Sequence, residues 1–165
     1  MRGKAFKFGD NISTDHIAPG RLFHLRSNLE EFSKHVLEDA DENFAKNMKK
    51  GDFVVAGSNF GLGSSREHAP QIIKIAGVGA VIAKSFARIF YRNSINIGLL
   101  AIECDTDFIN AGDELDLDIE NGILKDLTNN IERKIKPLPP VMQQLLADGG
   151  LVEHIKKHDG FCLTE

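Results

Sequence analysis

A glycine-rich run between an apolar strand and a helix constrains the fold of this chain most strongly. The run covers residues 57–70 (GSNFGLGSSREHAP), and it follows residues 52–56 (DFVVA), whose composition is that of a buried strand. Glycines permit backbone conformations with positive φ and a close approach to a ligand. Pro70 suits the first turn of a helix, where its missing N–H is not needed. The sequence therefore predicts a strand, a ligand-accessible loop and a helix, in that order.

The same order of elements then repeats along the chain. Residues 78–83 (VGAVIA) form a second apolar strand pattern, residues 86–95 a second helix, and residues 99–103 a third strand. Gly77 and Gly98 are expected to end the two helices, and Ser85 to cap the start of the second. Strands that alternate with helices through short connections are typical of parallel βαβ units.

The remaining segments complete a compact layered α/β domain. Residues 3–8 alternate as a short strand does, and residues 28–48 have apolar positions close to a 3.6-residue period, which predicts one or two amphipathic helices. Residues 114–119 and 123–127 flank an Asn-Gly pair, the strongest short signal for a β-hairpin. Two more helices are predicted over residues 141–147 and 152–156. The expected fold is a parallel βαβ core with a helix-covered face and an added β-hairpin.

Composition limits the classes of function. The 165 residues fit one domain, and residues 158–165 are expected to form a frayed tail. A formal net charge of −4 leaves no basic surface for nucleic acid. No signal peptide is expected, because residues 1–4 lead into an alternating strand pattern, and the apolar runs are shorter than the ~20 residues of a membrane helix. Cys104 and Cys162 have no metal-type spacing, so two free thiols in a reducing cytoplasm and no metal site are expected.

The glycine-rich run carries the first group of residues with chemical potential. Ser64, Ser65 and Arg66 stand just before the predicted helix, and the unpaired N–H groups of a helix N-terminus attract carboxylates. Arg66 can bind a carboxylate through two parallel N–H bonds. A serine hydroxyl acts as a base only where surrounding donors stabilise its alkoxide. The alternative is a turn whose serines merely cap the helix.

Residues 10–20 (DNISTDHIAPG) carry a second group. Asp15 and His16 are adjacent there, and either a Thr-Asp turn fixes its own backbone or the carboxylate orients a neighbour in an active site. Three basic residues follow: Arg21, His24 and Arg26. Such a basic segment is either solvated or in contact with the carboxylate of a substrate.

Three segments in this order resemble the swivelling domain of the aconitase superfamily. They are residues 13–17 (STDHI), residues 61–69 (GLGSSREHA) and residues 83–99 (AKSFARIFYRNSINIGL). The resemblance implies a swivelling β/β/α domain. A detached domain of this length resembles the small subunits of 3-isopropylmalate isomerase, homoaconitase and dimethylmalate dehydratase.

The resemblance also implies a reaction and a partner. These hydro-lyases remove water from a 2-hydroxy acid and add it back at the adjacent carbon, with a [4Fe–4S] cluster as Lewis acid. The cluster belongs to a large subunit, so this chain is expected to bind no cofactor itself and to be active only with that partner. The substrate is a small carboxylic acid.

Roles for individual residues follow from the same resemblance. Ser64 matches the serine that abstracts a proton as an alkoxide, and Arg66 matches the arginine that stabilises this serine and binds a carboxylate. Asp15 and His16 match a segment at the domain interface near the site. Substrate-binding positions are expected in the loop and beyond it, at Gly61, Gly63, Ser65 and Arg26.

Arg26 bears on which substrate the protein takes. Family members that act on an extra carboxylate tend to carry an arginine in this segment, whereas those that take an isopropyl group tend to carry apolar residues. An unpaired arginine buried against an isopropyl group is costly. The first expectation is nevertheless a 3-isopropylmalate dehydratase small subunit of leucine biosynthesis, because this is the commonest role of a detached small subunit in the family. A homoaconitase-like or dimethylmalate dehydratase small subunit is the alternative, and a non-catalytic dicarboxylate-binding module is the alternative of another class.

Overall fold

The computed structural model describes residues 1–161 and, within them, a mixed sheet of seven strands. The strands are β1 (Arg2–Lys7), β2 (Phe53–Ala56), β3 (Ala80–Ala83), β4 (Ala101–Glu103), β5 (Glu114–Asp118), β6 (Ile123–Asp126) and β7 (Ile131–Lys134). Their order across the sheet is β4-β3-β2-β1-β5-β6-β7. Strands β1 to β4 pair in parallel, and β5, β6 and β7 extend the sheet from β1 in antiparallel pairing.

The helices fall into four groups along the chain. They are α1 (Thr14–Ile17), α2 (Leu29–Ser33), α3 (Phe44–Asn47), α4 (His68–Ala76), α5 (Arg88–Ile97), α6 (Pro140–Ala147) and α7 (Leu151–His158). A 3₁₀ segment, Gly20–Ser27, lies between α1 and α2. Helices α1 to α3 connect β1 to β2, α4 connects β2 to β3, α5 connects β3 to β4, and α6 and α7 follow β7. Within residues 1–161, no helix is long and apolar enough to span a membrane.

The predicted βαβ core is confirmed. Strands β2, β3 and β4 alternate with α4 and α5 and pair in parallel. Gly77 and Gly98 end the two helices with φ angles of +95° and +76°, a left-handed conformation that costs a glycine little because it has no Cβ. The predicted hairpin is confirmed as well, as the antiparallel pair β5–β6.

Three expectations of local structure are wrong or incomplete. Ser85 does not cap α5, which begins at Arg88; its hydroxyl accepts a hydrogen bond from the backbone N–H of Asn59 at 2.8 Å. Residues 28–48 form two helices, as predicted, but these are short (α2 and α3), and the turns between them include the buried Leu37 with a φ of +57°. Strand β7 was not predicted, since its residues are mostly polar and exposed and give no apolar alternation.

The sheet curls into a β/β/α arrangement with a core on each face of its parallel half. On one face, Val54 and Val81 pack with the fully buried Phe32 of α2 and Ile72 of α4. Alternate residues of the same strands point to the other face. There Phe53 and Ile82 pack with Leu117 and Leu124 of the antiparallel strands. The predicted α/β class is confirmed, and the antiparallel strands supply the second β layer.

The parallel half of the sheet also determines where loops meet. The carboxyl ends of parallel strands lie at one edge, so the loops that leave β1, β2 and β3 start side by side. Isolated bridges join these loops, between Ser13 and Leu62 and between Phe60 and Phe86. Every sequence segment that carries the family resemblance therefore reaches this edge.

A buried carboxylate fastens the last two helices. The Asp148 side chain, 3% exposed, accepts hydrogen bonds from Lys157 Nζ at 2.5 Å, His154 Nδ1 at 2.7 Å and His158 Nε2 at 3.0 Å. The Lys157 ammonium and then the His154 imidazole hold the pKa of Asp148 well below its usual range. His158, the first residue of the predicted frayed tail, is the last residue of α7 and is bonded to Asp148. Its residues 162–165, including the predicted free thiol of Cys162, lie outside the described residues.

Replacing the fully buried Ile82 by alanine leaves a cavity between the two β layers. We expect Ile82→Ala to lower the free energy of unfolding of the purified chain by about 3 kcal/mol in urea titrations followed by circular dichroism. The matched control is Ile89→Ala on the exposed surface of α5, which should change it by less than about 0.5 kcal/mol. Equal losses in the two variants would contradict the assignment of Ile82 to the core.

Asp148→Asn removes the charge that Lys157 and the two histidines share, and it should lower the urea midpoint at pH 7. A carboxyl whose pKa is depressed by folding stabilises the native state above its ordinary pKa of about 4. That stabilisation is lost as the pH falls below about 4 towards the lower native pKa. The difference in urea midpoint between wild type and Asp148→Asn should therefore become smaller as the pH falls from 5 to 2.

The exposed Glu153→Gln on α7 is the control, with no expected change at any pH. If the urea midpoints of wild type and Asp148→Asn differed by the same amount over the whole pH range, the charge of the Asp148 carboxylate would not be the cause of the difference.

Candidate active site

Two loops from neighbouring strands form the framework of the site. The loop after β1 and the glycine-rich loop after β2 are joined by backbone hydrogen bonds, two of which lie next to the candidate site residues. Gly61 N–H donates to the Ile12 carbonyl at 2.7 Å, and Thr14 N–H donates to the Leu62 carbonyl at 2.8 Å. These bonds place α1, which carries Asp15, directly beside the segment that carries Ser64 and Arg66.

The glycines predicted as substrate-binding positions have a packing reason to be glycine. Gly61 has a φ of +79°, and a Cβ there would come within 2.2 Å of the ring of Phe90. Gly63 has a φ of +113°, and its Cβ would lie 3.0 Å from Thr14 Oγ1. Both positions thus allow the loop to lie closely against α1 and α5.

The two serines stand at the surface of this loop. Ser64 and Ser65 are exposed, and within residues 1–161 neither hydroxyl makes a hydrogen bond. Helix α4 begins at His68, and its N-cap residue Glu67 makes no side-chain cap. The serines therefore do not cap the helix, and their hydroxyls are open to a ligand.

Arg66 is fixed by the carboxylate of Asp15. Its Nη1 atom forms an ion pair with Asp15 Oδ1 and donates a hydrogen bond to the Ala18 carbonyl at 3.3 Å. The Arg66 side chain is 23% exposed, whereas that of Asp15 is 64% exposed. Of the two alternatives for Asp15, the structure has the one in which the carboxylate orients a neighbour.

His16 has a different local environment. The ring Nδ1 of His16 accepts a hydrogen bond from the backbone N–H of Ser13 at 3.0 Å, and the backbone N–H of His16 donates to Ser13 Oγ at 3.2 Å. This reciprocal pair is a capping box at the start of α1. The structure thus groups His16 with Ser13, and it brings together Asp15 and Arg66.

Arg26 reaches the site through an aromatic residue that the sequence analysis missed. The guanidinium carbon of Arg26 lies 4.5 Å from the ring centroid of Phe23, and that of Arg66 lies 5.7 Å from the same centroid. Arg26 Nη1 also donates to the Phe23 carbonyl at 3.2 Å. The sequence signal for this contact was the spacing: Phe23 stands three positions before Arg26, and residues three apart are neighbours on a helix.

His68 lies behind this aromatic contact. Its ring stacks on Phe32 and meets the ring of Phe23 edge-on, with both centroid distances at 5.6 Å. Burial lowers the pKa of His68, and the positive charges of Arg66 and Arg26 lower it further. The imidazole therefore adds no third positive charge beside the two guanidinium groups near neutral pH. The resulting surface, with two arginines and one carboxylate, suits an anion.

Comparisons with known proteins identify the family of the chain. The sequence model of the family described as "Aconitase C-terminal domain" matches residues 10–107, which include the three segments that carry the resemblance. The chain is 63% identical to 3-isopropylmalate dehydratase small subunit 1 of Thermotoga maritima, with 98% of each chain covered. It is 61% identical to 3-isopropylmalate dehydratase small subunit 2 of Archaeoglobus fulgidus, with 96% of each covered.

A solved structure gives the same result for the fold. The crystal structure of 3-isopropylmalate dehydratase from Methanocaldococcus jannaschii superposes with a TM-score of 0.91 and 46% sequence identity, covering 96% of this chain and 94% of that one. The resemblance predicted from the three segments is confirmed. The chain belongs to the aconitase C-terminal domain family and, within it, to the group of 3-isopropylmalate dehydratase small subunits.

Proposed function

We propose that this chain is the small subunit of a 3-isopropylmalate dehydratase, a hydro-lyase of leucine biosynthesis that works only with a large subunit. The names of its relatives over nearly the whole chain support this function, and the term "small subunit" implies a larger partner. The observation that carries the proposal is the exposed Ser64 hydroxyl, two residues from an arginine that Asp15 holds in place. The non-catalytic binding module is disfavoured because these relatives are named as enzymes.

The substrate's carboxylates are the natural ligands of the two arginines. Charge-assisted N–H bonds to a carboxylate are short and strong, and a guanidinium offers them in pairs. Asp15 compensates the charge of Arg66, whereas Arg26 has no carboxylate partner within residues 1–161. A dianionic acid would therefore meet a net positive surface. We assign Arg66 and Arg26 to carboxylate binding, and the exposed Ser65 and the backbone at Gly61 and Gly63 to the wall of the same site.

Proton transfer is assigned to Ser64. Its hydroxyl oxygen, as an alkoxide, takes a proton from the carbon next to the one that loses the hydroxyl group. The neighbouring Arg66 guanidinium favours the alkoxide because it is a fixed positive charge. When water adds back, its hydroxyl group bonds to the carbon that lost the proton, and the Ser64 oxygen returns the proton to the carbon that had lost the hydroxyl group. Asp15 acts by orienting Arg66, and His16 supports the turn that presents Asp15.

An iron–sulfur cluster does not fit the donor set of this chain. Membership of the aconitase family suggests an iron–sulfur enzyme, and such clusters are held by several cysteine thiolates. Residues 1–161 contain a single cysteine, Cys104, and burial raises the pKa of its thiol to about 11. That thiol stays protonated at neutral pH. We therefore propose that the large subunit holds the cluster. As a separate point, we propose that both subunits act in the cytoplasm.

One observation favours a second candidate function. Arg26 lies on Phe23 with N–H groups available for a ligand, in place of the apolar residues expected for an isopropyl group. An arginine here would suit an acid with an additional carboxylate, as in a homoaconitase-like small subunit. The names of the relatives favour the isopropyl substrate, and Arg26 favours the larger anion. Dimethylmalate remains an alternative that neither observation selects.

Ser64→Ala tests the mechanism in the reconstituted complex with its large subunit. Because a positioned base contributes roughly 10²–10⁴-fold, kcat on 3-isopropylmalate should fall by about 1,000-fold while KM changes by less than about threefold. Ser58→Ala, an exposed serine at the start of the same loop, is the matched control and should keep kcat. A complex that stays fully active after Ser64→Ala would show that another group takes the proton.

Arg26→Ala tests the choice of substrate with 3-isopropylmalate, homocitrate, citrate and dimethylmalate as separate substrates. A charge-assisted hydrogen bond is worth about 1.5–3 kcal/mol, so losing one should raise KM by roughly 10–100-fold for an acid whose extra carboxylate it binds. For 3-isopropylmalate, which has no extra carboxylate, we expect a smaller rise in KM than for the acids that carry one.

Arg21→Ala serves as the control, since the guanidinium of Arg21 is already paired with Glu38 and Asp39. If Arg26→Ala weakens no acid with an extra carboxylate, Arg26 plays no part in selecting the substrate.

A further inference from the structure

We infer that Phe23 is a positioning residue whose ring holds the guanidinium groups of Arg26 and Arg66 in one fixed arrangement for two carboxylates of the ligand. The inference rests on the proposed function, because it takes both arginines as ligand-binding groups. Phe23 itself touches the arginines and forms no bond with the reacting atoms.

The ring of Phe23 is shared by both cations. The guanidinium carbons lie 4.5 Å (Arg26) and 5.7 Å (Arg66) from its centroid, within the ~6 Å over which a ring attracts a cation. The attraction comes from the negative face of the aromatic ring, so an aliphatic side chain of similar size would not provide it. One ring thus links an arginine of the glycine-rich loop to an arginine of the segment Gly20–Ser27.

Arg26 depends on Phe23 more than Arg66 does. Arg66 is held by Asp15 and by the Ala18 carbonyl. The contacts of Arg26 within residues 1–161 are the ring of Phe23 and its carbonyl, to which Nη1 donates at 3.2 Å. An exposed arginine otherwise loses much rotamer freedom when it binds a ligand. Holding it in advance removes part of that cost, so the ring contributes to affinity through preorganisation.

Phe23 is itself supported from below. It is 42% exposed, unusual for a large apolar side chain, yet its ring packs edge-on against His68. His68 in turn stacks on Phe32, which is fully buried in the core. A column of three rings therefore runs from the core to the surface and ends between the two guanidinium groups. This support fixes the ring where a lone exposed phenylalanine would move.

The experiment compares Phe23→Leu with Phe23→Tyr in the reconstituted two-subunit complex. Equilibrium binding of tricarballylate, a tricarboxylate probe that needs no turnover, is measured beside kcat and KM for the acid that the wild type turns over fastest. Phe23→Leu should weaken tricarballylate binding and raise KM by about 5–30-fold, with kcat within about threefold of wild type and the urea midpoint unchanged. Phe23→Tyr keeps the ring and should recover most of the affinity.

Two further variants distinguish a positioning role of Phe23 from a general effect of removing an exposed aromatic ring. In an Arg26→Ala background, Phe23→Leu should have a smaller effect than in wild type, since its contact with Arg26 is already gone and only the longer contact with Arg66 remains. Phe161→Leu, an exposed phenylalanine that packs on His154, should leave binding and KM unchanged. Full additivity of Phe23→Leu and Arg26→Ala would overturn the inference.

The outcomes also distinguish this inference from the proposed function. Unchanged tricarballylate binding in Phe23→Leu, or none in wild type, would overturn the positioning role even if Ser64→Ala abolishes activity. Weakened binding in Phe23→Leu together with full activity of Ser64→Ala would overturn the proposed mechanism and leave the positioning role intact.

Discussion

The ion pair between Asp15 and Arg66 is the interaction on which the arrangement of the site depends. Arg66 is largely buried, and a buried guanidinium without a compensating carboxylate is costly. The parallel pairing of β1 with β2 brings the loops of both residues to one edge of the sheet, and the bond from Thr14 N–H to the Leu62 carbonyl holds them together. The pairing of β1 with β2 therefore determines where Asp15 and Arg66 lie relative to each other.

Rigidity at this surface comes from two sources that differ in kind. The glycine-rich loop is fixed by backbone hydrogen bonds and by the close packing of Gly61 against Phe90. The segment Gly20–Ser27 has no buried residue of its own, and its Phe23 is supported by the rings of His68 and Phe32. Ser64 nevertheless remains exposed, which agrees with the proposal that a second subunit completes the site.

Sequence reasoning succeeded where a local physical signal exists. Gly77 and Gly98 end helices because their positive φ is unfavourable for other residues, and the Asn-Gly pair predicted the β5–β6 hairpin for a similar reason. It was wrong where a tertiary contact outweighs a local preference. Ser85 is a good N-cap residue, but its hydroxyl accepts a hydrogen bond from the backbone N–H of Asn59 instead, and α5 begins only at Arg88.

The sequence by itself determined the alternation of strands and helices, the family and the residues with the relevant chemistry, because each depends on residue types at fixed spacing. Only the tertiary structure decided which of those residues meet. It paired Asp15 with Arg66, assigned His16 to a capping box and brought Arg26 to Arg66 through Phe23. The physical reason is that such contacts join segments from different strands and loops, and their distances are set by sheet pairing and core packing.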